Sequence, residues 1–205
     1  MARPSVPSRR SDILLAARDA FNARGFAGTR MDDIAAAAGI SKAALYLQFA
    51  SKQALFEALV SELIEAMLPQ AAPAQLGDLP ADQLLRGFIA FMSERLTGDD
   101  MIFVPRVIIG EGANFPDLAR FYHDHVVRRG LGILEEIIRH GVARGEFVCD
   151  DPPQACRTLV GGVLLAAIWK TTFEPVGAEP IEVAAMARAH TDTILNGLLK
   201  RAGAT

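Results

Sequence analysis

Cysteine is almost absent from this 205-residue chain: Cys149 and Cys156 are too few for a disulfide framework and lack the C-x-x-C or Cys/His spacing of a zinc site. Both read as plain structural thiols. Seventeen glycines and eleven prolines are scattered along the chain, which excludes a low-complexity or collagen-like protein. Long apolar runs are missing as well. The longest uncharged one, Thr158 to Trp169, lies between Arg157 and Lys170 and falls short of the ~20 residues that span a bilayer, so neither a transmembrane helix nor a membrane partner is expected. No apolar stretch follows the arginines of MARPSVPSRR, so no secretory signal is read there and a cytoplasmic location is expected.

Signatures of catalysis are also lacking. The chain has no G-x-S-x-G, no phosphate-binding loop and no dinucleotide fingerprint; Gly110-Glu111-Gly112 lacks the preceding strand and the third glycine. The acid pairs Asp99-Asp100, Glu135-Glu136 and Asp150-Asp151 are neighbours in sequence and read as solvated charge. His123 and His125, two apart on a helix, point away from each other, and His140 and His190 are remote. No metal, no cofactor and no enzymatic activity are expected.

What is present is the balance of a globular protein, 51% hydrophobic and 22% charged, with a formal net charge of -3. The charge is unevenly placed. Residues 1–60 carry eight Lys/Arg against five Asp/Glu, a net of +3, which leaves -6 on the remainder. A basic head on an acidic body suits one small module that meets a polyanion.

Ile13, Leu14, Ala17 and Phe21 recur at helical spacing, predicting a first helix from about Ser11 to Arg24 that ends at Gly25. Thr29 followed by Asp32 fits a capping box and opens a short helix to Ala38. Gly39 turns the chain, Ser41 caps a third helix from Lys42 to Phe49, and Ser51 caps a fourth that Pro69 is expected to close near Leu68. Two short helices across a glycine turn make a helix-turn-helix with a core of Ile34, Ala35, Ile40, Leu45 and Phe49. Leu45 and Phe49 face inward together, which turns Lys42, Ala44, Tyr46 and Gln48 wholly or partly outward, a set suited to base edges in a major groove.

The run Ile13-Leu14, Ala17, Phe21, Gly25-Phe26, Thr29, Ile34-Ala35, Ala38-Gly39-Ile40-Ser41-Lys42, Leu45-Tyr46, Phe49, Ser51-Lys52 and Leu55-Phe56 resembles the N-terminal domain of TetR-family transcriptional regulators. The resemblance covers about residues 9–60. It implies an all-α homodimer that reads double-stranded palindromic operator DNA and answers to a small-molecule effector, most simply a repressor released by an apolar or amphipathic ligand. It further implies phosphate contacts from Thr29, Tyr46 and Lys52, and base contacts from Lys42, Ala43, Ala44, Leu47 and Gln48, with Arg30 and Ser41 beside them. Where many members carry Gly-Thr and His-Tyr, this chain has Ala43-Ala44 and Leu47-Gln48, so its operator is its own. Arg3, Arg9 and Arg10 sit on a tail that could follow a minor groove.

The expected organisation is a flexible basic tail over 1–10, a three-helix DNA-binding domain over 11–56 and a larger helical bundle over 57–205, about nine helices in all. A Pro/Gly linker spans 69–80, and helical periodicity covers 81–96, 100–113, 116–144, 152–173 and 181–202. Segments such as Arg106 to Tyr122 also resemble C-terminal domains of one branch of the family. Phe88, Phe91, Met92, Phe103, Phe121, Tyr122 and Trp169 are candidates for an adaptable apolar pocket, and Arg106, Glu111 and His125 for groups that orient a ligand. The last two helices are apolar beyond one stripe, which predicts a two-fold interface through Leu159, Gly162, Val163, Ile168, Ile194 and Leu198. The rival from another class is a helical small-molecule binding protein or enzyme whose head no longer binds DNA.

Overall fold

The computed structural model describes residues 6–71 and 79–198. Arg3 and most of the Pro/Gly linker lie outside them, as do the side chains of Arg9 and Leu198. The fold is all-helical among the described residues: α1 (Val6–Arg24), α2 (Met31–Ala37), α3 (Lys42–Gln48), α4 (Lys52–Ala71), α5 (Ala81–Thr97), α6 (Phe103–Glu111), α7 (Pro116–Tyr122), α8 (Arg128–Ala143), α9 (Pro152–Ile168) and α10 (Val183–Leu198). A π-turn at His123–Val127 joins α7 to α8 without a break, and a second, Trp169–Phe173, extends α9, so the ten segments form nine rods.

Two boundaries differ from expectation for local reasons. α1 starts at Val6, taking in half of the predicted tail, because Pro7 stands in the first turn, where no amide donor is needed. α4 continues past Pro69 to Ala71, since a proline in the last turn removes only one amide donor. Pro105 sits in the first turn of α6 for the same reason as Pro7, and Asp151 caps α9 by accepting the Gln154 amide at 3.1 Å.

The body is built around α5, which packs against α8, α9 and α10. Its inward residues Leu85, Phe88, Ile89 and Leu96 meet Leu134, Ile137, Ile138 and Gly141 of α8, both sets at i, i+3, i+4 intervals. The path Pro152–Val176 is long and apolar enough to cross a membrane by length and composition alone. Here it is a core helix on one side: Cys156, Leu159, Val163, Ala166 and Ala167 are buried against the bundle. Head and body share one continuous apolar core, with α4 common to both.

Gly141 is where α8 meets the N-terminus of α5 most closely. A Cβ there would lie 2.8 Å from that of Ala81 and would overlap the Phe147 ring. Gly141→Ala is therefore expected to destabilise the fold by about 1–3 kcal/mol, as overpacking does, and a thermal melt read by circular dichroism checks it.

Candidate functional site

α3 is short, and its orientation follows from two buried side chains. Leu45 is fully buried and Phe49 nearly so, packed among Ile34, Ala35 and the α1 face, while the Ser41 hydroxyl caps the helix by accepting the Ala44 amide at 3.2 Å. The opposite face is bare. Lys42, Ala43, Tyr46, Leu47 and Gln48 are exposed and Ala44 is half-buried. Leu47 is 88% exposed, so it packs against nothing in its own chain. Lys42 pairs with Asp32 at 2.9 Å, and that hydrogen-bonded carboxylate raises the pKa of the ammonium. Beside this face, Thr29, Arg30, Lys42, Tyr46, Ser51 and Lys52 border a shallow basin at the junction of α2, α3 and α4.

A different kind of concavity lies inside the body. A cavity of about 280 Å³ is enclosed by α5, α6, the α7 to α8 rod and α9, with Met67 of α4 at one end. Its wall is almost entirely apolar: Phe88, Ile89, Met92 and Leu96 from α5, Pro105, Ile108 and Ile109 from α6, and Val160, Val163 and Leu164 from α9. The α7 to α8 rod supplies the remaining wall through Ala119, Tyr122, His123, Val126, Val127, Gly130 and Leu131, with the wider-spaced π-turn in the middle of that stretch. A wider groove of about 540 Å³ on the head, between α1 and α2, is open and rimmed by Asp12, Asp19 and Asp33, a poor surface for either DNA or an apolar ligand.

Comparison with known proteins agrees with this two-part arrangement. Residues 13–59 match the model of the bacterial regulatory proteins of the tetR family. Residues 83–196, more than half of the chain, match that of the AefR-like transcriptional repressor C-terminal domain. The chain belongs to the TetR family of transcriptional regulators. It is 41% identical to the regulator RutR of Escherichia coli K12 over 64 residues, 31% of this chain and 30% of that one, so it spans under a third of that relative's length. The repressor BepR of Brucella suis is 26% identical over 164 residues, 76% of this chain and 78% of its own. Among solved structures, Salmonella enterica GusR superposes with a TM-score of 0.76 at 25% identity, covering 97% of this chain and 98% of that one.

Two side chains that the TetR resemblance assigned to phosphates are occupied elsewhere. Thr29 is buried, and its hydroxyl donates to the carbonyls of Gly25 at 2.6 Å and Ala20 at 3.1 Å. The expected capping box is not made: α2 begins at Met31 after Arg30, which offers no side-chain cap. The Lys52 ammonium donates to the carbonyls of Phe26 at 2.5 Å, Thr29 at 2.9 Å and Ala27 at 3.3 Å, and lies 4.6 Å from the Phe26 ring centroid. All three of its protons are used, and partial burial lowers its pKa. Both residues hold the turn between α1 and α2.

The pocket candidates divide as sharply. Phe88, Met92 and Tyr122 line the cavity. Phe103 instead joins the head-to-body cluster, stacked 6.5 Å from Phe21 and edge-on to Phe56 at 6.0 Å. Phe121 stacks on His125 at 4.6 Å outside the cavity, where the His125 ring also meets the Phe121 carbonyl at 3.0 Å. Phe91 carries Arg95 over its face, and Trp169 donates to the Glu179 carbonyl at 2.9 Å, both away from the cavity lining. Arg106 and Glu111 orient the head rather than a ligand. Arg106 donates to the carbonyls of Phe21 and Asn22 at the end of α1, and the Glu111 carboxylate accepts the amides of Phe26 at 2.7 Å and Ala27 at 2.6 Å.

Some of the dimer candidates also face inward. Leu159 and Val163 are buried in their own chain, and the missing side chain of Gly162 makes room for the His190 ring of α10. Ile168 and Ile194 are half-buried. The exposed residues of the pair include Thr158, Gly161 and Leu165 on α9 and Ala185 and Ala189 on α10, with the charged Arg157, Arg188 and Asp192 also exposed. Periodicity counted the apolar residues correctly but had no means of assigning them to inner and outer faces.

Lys52→Ala should thus act on folding. Loss of hydrogen bonds from a charged donor is expected to cost about 1.5–3 kcal/mol, seen as a lower urea midpoint. Glu111→Ala should leave the amides of Phe26 and Ala27 exchanging with solvent about tenfold faster or more, which hydrogen-exchange NMR measures.

Proposed function

We propose that this TetR-family chain is a homodimeric, cytoplasmic repressor that reads a palindromic operator through α3 and leaves it when a small apolar or amphipathic effector enters the cavity of the body. The observation that carries this reading is the bare outer face of α3. A leucine left 88% exposed on a seven-residue helix, beside Gln48, is costly in water and useful against a base edge. Leu47 and Ala44 suit thymine methyl groups, and Gln48 can pair with both hydrogen-bonding positions of an adenine. Arg30, Lys42 and Tyr46 border the adjacent basin and take the phosphates, with Lys42 exchanging Asp32 for DNA.

Dimerisation through the outer faces of α9 and α10 supports the two half-sites. Thr158, Gly161 and Leu165 with Ala185 and Ala189 allow close approach of a second copy, and a two-fold axis there would match the symmetry of a palindrome.

Signal transfer has a physical carrier in α6 as well as α4. Pro105, Ile108 and Ile109 touch the cavity, while Arg106 and Glu111 of the same nine-residue helix hold the end of α1 and the turn that follows it. Met67 puts α4 on the cavity too, and Lys52 at its other end holds the same turn. A ligand that fits only a shifted α6 or α4 would move the two recognition helices off successive major grooves ~34 Å apart. The coupling is reciprocal, so operator must weaken effector binding by the same factor.

The test is a gel shift on the DNA upstream of the chain's own coding sequence, repeated across salt concentrations. Arg30→Ala is expected to lower the slope of log affinity against log salt by about one for each half-site, whereas Lys52→Ala leaves the slope unchanged. Gln48→Ala should lose about 1–3 kcal/mol of discrimination at a single base pair. Absence of salt-dependent binding to that DNA would remove this reading.

A further inference from the structure

Two polar side chains line the cavity of the body, His123 at the exposed edge and Tyr122 deep in the wall. Tyr122 is 8% exposed, lines the cavity, and its hydroxyl makes no hydrogen bond with any described residue. A hydroxyl that faces an apolar cavity without a protein partner keeps its donor and acceptor capacity for whatever enters that cavity. Burial pushes its pKa up to about 12, so the phenol stays neutral and able to donate at any physiological pH.

The rest of the wall defines what that partner is attached to. No Asp, Glu, Lys or Arg lines the cavity, so a charged group drawn inside would find no counter-ion and would pay its full desolvation. The exposed lining residues are Ile109 and His123, which mark the mouth. His123 is already joined to the Asp124 carboxylate at 2.9 Å, and this hydrogen bond holds Asp124 below the usual carboxylate range. Arg128, 4.0 Å from the same carboxylate, balances its charge, so neither group is left free to draw a carboxylate into the cavity. The volume of about 280 Å³ is roughly twice the ~150 Å³ of an apolar cavity that admits benzene.

We propose that the cavity takes an uncharged, mainly hydrocarbon molecule of about ten to twelve carbons bearing one oxygen, which hydrogen-bonds with the Tyr122 hydroxyl. This deepens, and rests on, the reading of the cavity as the effector site. Carboxylates of the same size are rejected unless protonated, and pure hydrocarbons bind without using Tyr122.

Calorimetric titration of the full chain with 2-naphthol, naphthalene and 2-naphthoate at pH 7.5 tests the assignment. The expected order puts 2-naphthol first and 2-naphthoate weaker by about a hundredfold or more. Tyr122→Phe is expected to weaken 2-naphthol roughly three- to tenfold and to leave naphthalene within about twofold, which a merely structural role for the phenol would not do. Gly130 provides a second variant: it lines the cavity and a Cβ added there meets nothing within 4 Å, so Gly130→Leu should fill the space and abolish binding of both neutral probes while the protein still folds. Equal affinity for 2-naphthoate and 2-naphthol, an unchanged preference for 2-naphthol in Tyr122→Phe, or no neutral probe bound would each overturn the proposal. DNA binding is measured on the same samples. A chain that binds 2-naphthol but no DNA fails as a regulator and keeps its ligand class; one that binds DNA but no neutral probe does the reverse.

Discussion

The attachment of the helix-turn-helix head to the body depends on one five-residue turn. Residues 25–29, between α1 and α2, are held from three sides: Glu111 takes the amides of Phe26 and Ala27, Lys52 takes the carbonyls of Phe26, Ala27 and Thr29, and the Thr29 hydroxyl closes back on Gly25 and Ala20. The turn has to be glycine-led. Gly25 has φ 70°, in the left-handed region, and a Cβ added there would run into the Glu111 carboxylate, so a side chain would be strained and would push that carboxylate away. Phe26 is then driven into a cluster with Phe21, Phe56 and Phe115 at centroid distances of 4.8–5.8 Å. Unpaired backbone groups would be expensive in such surroundings, and the charged partners remove that cost.

A head attached in this manner is not a free module on a tether. The aromatic cluster, the Arg18 to Asp100 ion pair at 2.6 Å and the Arg106 and Glu111 contacts make the position of α3 a property of α4 and α6. Those two helices are also the ones that reach the cavity from the side of the head. Close-packed interiors transmit displacement because they have no slack to absorb it, and here the cavity and the turn that holds the head are at most the length of a single helix apart. The π-turn, whose hydrogen bonding departs from α geometry, carries His123, Val126 and Val127 to the cavity wall.

Recognition of the helix-turn-helix from sequence succeeded because its signals are local. A positive-φ glycine, a hydroxyl cap and an i, i+4 apolar pair all act within one or two turns, and Gly39, Ser41, Leu45 and Phe49 behave as read. Six of the ten helical segments, α3, α4, α5, α7, α9 and α10, begin within two residues of the position that the sequence predicts. Polar side chains were harder. Arg106, Glu111 and Lys52 are chemically suited to a ligand, a phosphate or a backbone carbonyl alike, and composition does not distinguish among these partners.

The amino-acid sequence by itself determined the helices, the outward face of α3 and the membership of this chain among regulators, since each depends on spacing within a short stretch. Which aromatic residues line the cavity, which face of α9 remains open, and which charges hold the turn were decided only in three dimensions. Phe88 and Phe103 are equally apolar, yet one faces empty space and the other sits between Phe21 and Phe56. The difference arises from how five helices pack around a shared centre, and packing depends on residues far apart in the chain.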